Sequence, residues 1–380
     1  MRFRPIFRVS RSNIGTELRR SFSQIHPTPQ RPSFGIAFDI DGVILRGQTP
    51  IGGSPQALKR LYHDNGTLRI PFLFLTNGGG IPESKRAVEL SSLLGVQILP
   101  LQVVQGASPF KGLANRFENE LVIAIGKGEP AAVMSEYGFK KVLSIDEYAS
   151  YFEDIDPLSQ FKCWVTRQAN EKNTSREAQL RYNVYSERVK GAFVVSDPID
   201  WGRDIQVLCD VLRCEGLPGK DIGHQQPPLY FAADDLEYQA AFPSERLGMG
   251  AFRIALESIF NSIHSSPLKF TSFGKPNPSV FKNAEAILSQ IFSNVYQDQE
   301  TEDGVKGHQF DTIYMIGDNP AVDINGASKA GHPWFSILTR TGVFRGKDNH
   351  AKHPADLVVD TVEEAIDYIL KKELSSHYSY

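Results

Sequence analysis

The sequence predicts an α/β fold in which a parallel sheet with flanking helices is interrupted by a second, inserted α/β domain. Short apolar runs of strand length alternate with helical patterns near both ends of the chain, as is typical of βα units and a parallel sheet. The middle of the chain, from about residue 118 to 231, has its own strand and helix patterns. It contains no cluster of catalytic residue types, which indicates an inserted domain.

Four apolar runs form the predicted strands of the first sheet, and helical patterns follow them. The predicted strands are Phe34–Phe38, Ile70–Leu75, Asp311–Ile316 and Phe335–Leu338, and the predicted helices span Ser54–His63, Pro82–Leu94 and the segment after Asp318 to about Ala330. In the middle of the chain we predict the strands Leu121–Ile125 and Ala192–Val195 and the helix Ile205–Arg213. Three strands of the first sheet end at Asp39, Thr76 and Asp318. Because open parallel sheets bind ligands beyond the carboxyl ends of their strands, these three residues mark a candidate site.

Charge is distributed unevenly along the chain. Residues 1–33 carry seven arginines and one acidic residue, Glu17, so this leader has a charge of +6 and the rest of the chain a charge of −9. A basic, acid-poor leader before an acidic body is typical of a mitochondrial transit peptide, and the alternative is a basic tail that binds anionic surfaces. The acidic body argues against nucleic acid as the main partner. The sequence has no run of about eighteen apolar residues and therefore predicts no transmembrane helix.

The strongest local signal is the segment Asp39-Ile40-Asp41-Gly42 at a strand end. Residues i and i+2 of a strand point to opposite faces, but a break in the strand at Asp39 turns both carboxylates toward one site. Asp39 can then attack phosphorus while Asp41 donates a proton to the leaving oxygen and later activates water. The alternatives are a solvated turn or a calcium loop. A calcium loop needs a glutamate at its twelfth position, where this chain has Pro50.

A second element, Thr76-Asn77, follows a predicted strand and precedes three glycines. The hydroxyl, the amide and the glycine-rich backbone from Gly78 onward offer hydrogen-bond donors to phosphate oxygens. The alternative is a turn that only caps the strand.

A third element is Lys275, which lies between Gly274 and Pro276 before a helical pattern. A lysine fixed in this way is suited to a dense negative charge. The alternative is an exposed lysine in a turn, which is common among lysines in general.

A fourth element places Asp318 and Asp323 five residues apart across a predicted helix start. Two such carboxylates suit one hard cation with oxygen ligands. The alternative is that Asp318 caps the helix.

These four elements, in this order, resemble the haloacid dehalogenase (HAD) superfamily of aspartyl phosphohydrolases. The resemblance implies a Rossmann-like parallel-sheet core at residues 34–116 and 232–380 and an inserted α/β cap of the C2 type at residues 117–231. It implies a Mg²⁺-dependent phosphatase that cleaves a small phosphate monoester through an aspartyl-phosphate intermediate.

The same resemblance assigns a role to each motif residue. It implies that Asp39 is the nucleophile and Asp41 the acid and base, and that Thr76 and Asn77, with the neighbouring Gly78, bind phosphate. Lys275 would neutralise the phosphoryl group and the Asp39 carboxylate. Mg²⁺ would be held by Asp39, Asp318 and the backbone carbonyl of Asp41, with Asp323 close by.

The spacing of the motifs indicates the subclass. Asp39 and Thr76 are 37 residues apart, which leaves room for one βα unit, whereas Thr76 and Lys275 are 199 residues apart, which leaves room for a large cap. This arrangement is similar to subfamily IIA, the NagD-like enzymes. The chain looks closest to the mitochondrial branch of cat-eye-syndrome-critical-region-type hydrolases. That branch is indicated by the segments Ser196–Trp201, Phe242–Pro243, Gly248–Phe252 and Gly317–Pro320. The subfamily usually has a polar residue after the asparagine, where this chain has Gly78.

The cap and its return to the core supply the expected substrate contacts, which are Asp197, Asp200, Trp201 and Asp234. For Trp201 the alternative is packing against a helix. Asp41 favours a phosphate ester over a halide as leaving group, and the large second-position cap argues against a phosphomutase. Two further hypotheses are a catalytically weak binding or regulatory protein and a phosphatase of mitochondrial phospholipid-precursor metabolism. The resemblance and the leader also predict a mitochondrial matrix location and a homodimer through the cap.

Overall fold

The computed structural model describes residues 31–162, 182–223, 225–296 and 310–375. Residues 1–30, which make up almost all of the predicted leader, lie outside the described residues, so the transit peptide stays a prediction. In the described part of the chain, no helix combines the length and the apolar composition needed to cross a bilayer.

The described chain contains fifteen strands. They are β1 (Phe34–Phe38), β2 (Leu45–Arg46), β3 (Thr49–Pro50), β4 (Phe72–Leu75), β5 (Val103–Val104), β6 (Leu121–Ile125), β7 (Lys141–Ser144), β8 (Gly191–Val194), β9 (Leu229–Phe231), β10 (Glu237–Tyr238), β11 (Arg246–Leu247), β12 (Thr271–Ser272), β13 (Thr312–Gly317), β14 (Trp334–Thr339) and β15 (Leu357–Val359).

Ten α-helices lie between and after these strands in the described residues. They are α1 (Ser54–Lys59), α2 (Glu83–Leu94), α3 (Ala114–Phe117), α4 (Pro130–Glu136), α5 (Ile145–Ser150), α6 (Trp201–Arg213), α7 (Met249–Ile263), α8 (Pro278–Tyr296), α9 (Asn325–Ala330) and α10 (Val362–Ser375). Three 3₁₀ turns span Pro100–Gln102, Ser108–Leu113 and Ser159–Phe161, and a π turn spans Pro320–Ile324.

The first sheet is parallel and has the strand order β15-β14-β13-β1-β4-β5. Strand β1 lies at its centre, with Phe38 opposite Ile316 of β13 on one side and opposite Phe74 of β4 on the other. The three strands that the sequence marked as ending in functional residues are therefore neighbours.

Both faces of this sheet are buried, which explains why its strands are continuous apolar runs. In β1, Ile36 and Phe38 belong to the hydrophobic cluster on one face, and Ala37 belongs to the cluster on the other. Helix α10 packs on the first face and helix α8 on the second. This three-layer arrangement confirms the predicted α/β fold class.

The second sheet is also parallel and has the order β12-β9-β8-β6-β7. Its hydrophobic cluster extends from Ala107 to Leu268 and includes one face of helix α7, where Met249, Phe252, Leu256 and Phe260 recur every three or four residues. Helix α7 and strand β12 thus pack with the second sheet, although the sequence assigned them to the first unit. The bounds of 117 and 231 for the cap stay a prediction.

Several predicted elements differ from the structure at their ends. Strand β4 begins at Phe72 rather than Ile70, after Pro71, which has no N–H for a ladder bond. Helix α1 ends at Lys59 rather than His63, and residues 60–70 return in a turn in which the N–H groups of Arg69 and Ile70 donate to the carbonyl of Leu61.

Candidate active site

Three neighbouring strand ends form the floor of the site. Asp39 follows β1, Thr76 follows β4 and Asp318 follows β13, and all three side chains are buried. The N–H of Asp39 donates to the carbonyl of Ile316 at 2.9 Å, and the N–H of Thr76 donates to the carbonyl of Val104 at 3.0 Å. The backbone of the sheet thus fixes these residues at one edge.

A buried lysine links two of the carboxylates. Lys275, which is 1% exposed, donates from Nζ to Oδ1 of Asp39 at 2.8 Å and to Oδ1 of Asp323 at 2.6 Å. Ligand atoms of Asp39, Asp318 and Asp323 all lie within 4.8 Å of one another. Three buried carboxylates and one lysine leave the cluster short of positive charge, and hard oxygen donors of this kind fit a divalent cation.

Backbone groups hold the carboxylates of Asp318 and Asp323 in place. The N–H of Val343 donates to Oδ2 of Asp318 at 2.7 Å, and the N–H of Asn319 donates to Oδ2 of Asp323 at 3.0 Å. The turn that follows is capped by the side chain of Asn319 and not by Asp318. The loop at Gly342 runs so close that a Cβ there would lie 1.8 Å from Oδ2 of Asp318.

The chain breaks from strand geometry directly after Asp39. The N–H groups of Ile44 and Leu45 both donate to the carbonyl of Ile40, at 3.0 and 2.9 Å. This tight turn brings Asp41 to the same cleft as Asp39. A Cβ placed on Gly78 would lie 3.1 Å from Oδ2 of Asp41, so the glycine leaves room for that carboxyl.

Asn77 joins the loop after β4 to the loop that carries Lys275. Its Oδ1 accepts from the N–H of Lys275 at 2.8 Å, and its Nδ2 donates to the carbonyl of Lys275 at 2.9 Å. The same Nδ2 donates to Oδ1 of Asp235 at 2.9 Å. Nearby, the N–H of Gly78 donates to Oγ1 of Thr76 at 3.0 Å. The side chain of Asn77 therefore positions the lysine.

Burial controls the protonation of the site. It raises the pKa of Asp39 to about 8, with Lys275 opposing the rise, and it raises the pKa of Asp318 well above its usual range. Burial also raises the pKa of the Asp41 carboxyl. Burial lowers the pKa of Lys275, but the carboxylates of Asp323 and Asp39 outweigh this effect, and the net shift is upward. The lysine is therefore charged, and the carboxyls need a further cation to ionise fully.

The comparisons with known proteins match this geometry. A family model described as "Haloacid dehalogenase-like hydrolase" matches residues 36–140, and one described as "HAD-hyrolase-like" matches residues 272–365. A mitochondrial hydrolase of Saccharomyces cerevisiae is 31% identical over 355 residues, covering 88% of this chain and 95% of the relative. The chain belongs to the haloacid dehalogenase-like hydrolases.

Two further similarities refine this placement in the HAD superfamily. A Schizosaccharomyces pombe protein described as a fusion of cardiolipin synthase and a mitochondrial hydrolase is 32% identical over 343 residues, covering 89% of this chain and 53% of the relative. The structure of NagD from Escherichia coli K-12 superposes with a TM-score of 0.51 and 16% identity, covering 88% of this chain and 98% of that one. The fold is that of the NagD-like subfamily IIA, and the chain is a HAD-type hydrolase.

The HAD cleft has a second wall, built largely by the second sheet and by the hairpin β10–β11. Asp197, one of the predicted substrate contacts, lies in this wall, and its Oδ2 accepts from Nζ of Lys127 at 2.8 Å. Asp200 instead bonds Lys162 at 2.5 Å and caps helix α6. Trp201 packs edge-to-face on Phe252.

The predicted contact Asp234 does not line the cleft. Its carboxylate accepts from Nε of Arg253 at 2.6 Å, and the next residue, Asp235, faces the site instead. Burial raises the pKa of Asp235 to about 7. The sequence places both aspartates just after β9, and it gives no means of deciding which one points inward. Lys127 and Tyr238, which also line the cleft, carry no motif signal.

Proposed function

We propose that this protein is a Mg²⁺-dependent phosphohydrolase that cleaves a small phosphate monoester through an aspartyl-phosphate on Asp39. The observation that carries the proposal is the buried bond between Lys275 and Asp39 at 2.8 Å, beside the two further carboxylates of Asp318 and Asp323. A nucleophilic carboxylate held by a fixed cation is the arrangement that phosphoryl transfer requires.

The donor set of the carboxylate cluster fits Mg²⁺. Asp39, Asp318 and the backbone carbonyl of Asp41 would hold the ion, with Asp323 beside them. When bound, the ion would neutralise charge on the phosphoryl oxygens and keep the carboxylates ionised. Calcium prefers more oxygen ligands in a looser arrangement, and a small buried cluster with room for water suits the smaller ion.

The residues of the chain divide the reaction between them. Lys275 holds Asp39 in the orientation from which one of its carboxylate oxygens attacks phosphorus. As the bond from phosphorus to the leaving oxygen breaks, Asp41 gives that oxygen its proton. Asp41 then takes a proton from water, which attacks phosphorus and breaks the bond to Asp39. The raised pKa of Asp41 suits the first of its two tasks, because it keeps the acid protonated. Thr76 and the backbone at Gly78 lie where they can orient the phosphate.

The test is phosphate release by the full chain from p-nitrophenyl phosphate and a broad panel of phosphorylated metabolites. We expect release with Mg²⁺, no release with EDTA, and loss of release in Asp39→Asn. The matched control is Asp367→Asn, the same substitution at an exposed aspartate that pairs with Arg60. The Asp39→Asn protein must melt like the wild type. Absence of release from every compound by folded wild-type protein would contradict the proposal and favour a binding or regulatory protein on a HAD fold.

A more specific candidate is a phosphatase of mitochondrial phospholipid-precursor metabolism. It is favoured by the relative described as a fusion of cardiolipin synthase with a mitochondrial hydrolase. The relative from S. cerevisiae is also described as mitochondrial. Together with the basic leader, these descriptions support a mitochondrial location, and we propose the matrix. A homodimer through the cap likewise stays a proposal, and light scattering of the purified chain tests it.

A further inference from the structure

A second cavity adjoins the cleft on the far side of Asp41. Asp41, Thr76, Gly78, Gly79, Lys127 and Tyr238 line both spaces. The nucleophile Asp39 and the lysine Lys275 line the cleft alone. A phosphate bound at Asp39 therefore lies in the cleft. Its leaving oxygen must reach Asp41, so the second cavity begins where the leaving group continues.

The two spaces differ in charge. Among the described residues, seven carboxyl side chains and two lysines line the cleft, which is therefore acidic even with Lys275 in place. The charged side chains that line the second cavity are Asp41, Arg86 and Lys127. The positive charges of Arg86 and Lys127 both act on Asp41, as expected for groups on one small space. An anionic leaving group would be repelled by the far wall of the cleft and attracted into the second cavity.

The cations of the second cavity have partners that a ligand can replace. Arg86 donates to Glu89 at 3.0 Å within the same helix, and half of the Glu89 side chain is exposed. Lys127 bonds Asp197 at 2.8 Å, and its Nζ lies 5.3 Å from the centroid of the Tyr238 ring. Both pairs are partly open to water, and such pairs contribute little to stability, so an anionic ligand can compete with Glu89 and Asp197 for the two cations.

A buried acceptor in the same cavity indicates a hydrogen-bond donor on the ligand, such as a hydroxyl group of the leaving group, beside the anion that the two cations would bind. Gln105 is 3% exposed and lines the second cavity, and its Nε2 donates to the carbonyl of Ile81 at 3.0 Å. Its Oε1 is buried and has no hydrogen-bond partner among the described residues. An acceptor left in this state destabilises the folded chain, because it has lost its hydrogen bonds to water and gained none in return. A Cβ on Gly79 would lie 3.0 Å from this oxygen, so the glycine keeps the space beside it open.

We propose that the second cavity is a leaving-group site that selects phosphate monoesters whose leaving group carries a second anionic group, bound by Arg86 and Lys127. The inference rests on the proposed function, because it assigns the substrate class of the same site. The glycines at 78 and 79 belong to it, since side chains there would crowd Asp41 and Gln105. Gly78, which stands where the subfamily usually has a polar residue, thus widens the path between the cleft and the second cavity.

The test compares three monoesters that have the same three-carbon skeleton. Glycerol 3-phosphate has a neutral leaving group, 3-phosphoglycerate has a carboxylate, and glycerol 1,3-bisphosphate has a second phosphate. With the full chain and Mg²⁺, we expect kcat/KM for at least one of the two charged compounds to exceed that for glycerol 3-phosphate by about tenfold, mainly through KM. The better of the two identifies the anion as carboxylate or phosphate.

Charge-removing variants assign this preference to the cavity. Arg86→Gln and Lys127→Gln are expected to lower kcat/KM for the charged compounds more than that for glycerol 3-phosphate, so that the preference falls toward parity, and Lys127→Arg is expected to keep the preference. The control is Lys85→Gln, which removes an exposed charge from the same helix as Arg86, outside both spaces. Thermal melting checks the fold of each variant.

Two results would overturn the inference. One is wild-type protein that hydrolyses glycerol 3-phosphate as efficiently as both charged compounds, and the other is a preference that both glutamine variants retain. In each case, p-nitrophenyl phosphate turnover that is lost in Asp39→Asn leaves the proposed function standing. No release from any compound, p-nitrophenyl phosphate included, overturns the proposed function and the inference with it.

Discussion

Replacing Lys275 by methionine removes the lysine that bonds the carboxylate cluster while nearly preserving the volume of the side chain. The lysine is 1% exposed and makes charge-assisted bonds of 2.8 and 2.6 Å to Asp39 and Asp323. Without it, three carboxyls remain buried within 4.8 Å of one another. In metal-free protein, Lys275→Met forces them either to bear uncompensated charge or to take up protons.

The magnitude follows from the burial of this pair. Breaking a buried ion pair by removing one partner costs about 3–5 kcal/mol, because the other charge stays buried. We therefore expect Lys275→Met to lower the free energy of unfolding of the metal-free protein by about that amount at pH 7. The loss of a preorganised cation at the phosphoryl group is expected to lower kcat/KM by on the order of 10²–10³ in the presence of Mg²⁺.

The assay is urea denaturation in EDTA, with Lys282→Met as the matched control. Lys282 is exposed on helix α8, and its substitution is expected to change the free energy of unfolding by less than about 0.5 kcal/mol. The double variant Lys275→Met/Asp323→Asn removes one of the orphaned charges. We expect it to recover about 1–3 kcal/mol relative to additivity.

The charge argument fails under either of two results. The first is Lys275→Met protein as stable in EDTA as the Lys282→Met control. The second is a double variant whose two substitutions add independently, which would mean that Lys275 and Asp323 do not compensate each other in the folded protein.

Two further substitutions test the surroundings of the site and the second sheet. Gly342→Ala places a Cβ 1.8 Å from the present position of Asp318 Oδ2 and is expected to lower kcat for phosphate release by on the order of a hundredfold. The control is Gly112→Ala, where a Cβ meets open space, and we expect it to leave kcat unchanged. An equal effect of both would contradict this. Burial raises the pKa of Asp204 from 3.8 to about 6, so the folded protein binds the proton of this carboxyl more tightly than the unfolded chain does. The stability that this group contributes is therefore lost as pH rises from about 4 to 6. Asp204→Asn removes this pH dependence, so its free energy of unfolding is expected to rise by about 3 kcal/mol relative to that of the wild type between pH 4 and 7. Urea denaturation measures both proteins, and a difference between them that stays constant across that range would refute the argument.

The sequence predicts the strand ends that form the floor of this site well, because the topology of a parallel sheet constrains where they lie. Asp39, Thr76 and Asp318 each follow a buried apolar strand, and parallel strands place their carboxyl ends at one edge. The order in which the strands lie cannot be read from the spacing, yet the three strand ends prove to be adjacent. The roles of these residues stay predictions until the variants are measured.

The second wall could not be predicted in the same way. The sequence predicts that the second unit ends at residue 231, whereas helix α7 and strand β12, which follow that residue, pack with the second sheet. Asp234 and Asp235 are neighbours in a turn, and their side chains point in different directions. Side chains in a turn do not alternate regularly as they do in a strand, so the sequence cannot show which of the two faces the site. Gln105 belongs to no sequence pattern, since its significance lies in a side-chain oxygen that has no hydrogen-bond partner in the described part of the chain.

The two proposals assign the attack on phosphorus and the choice of leaving group to different parts of the site. The groups that would act on the phosphoryl centre, Asp39 and Lys275, are held by neighbouring strands and by buried bonds that leave little freedom. Arg86 lies on a helix and Lys127 on a loop, and their partners Glu89 and Asp197 are respectively half and about a quarter exposed to solvent. Substitutions at these two positions can therefore change the leaving group that is chosen without moving the attacking carboxylate. Under the two proposals, the leaving-group side of the site can vary in sequence while the attacking carboxylate keeps its position.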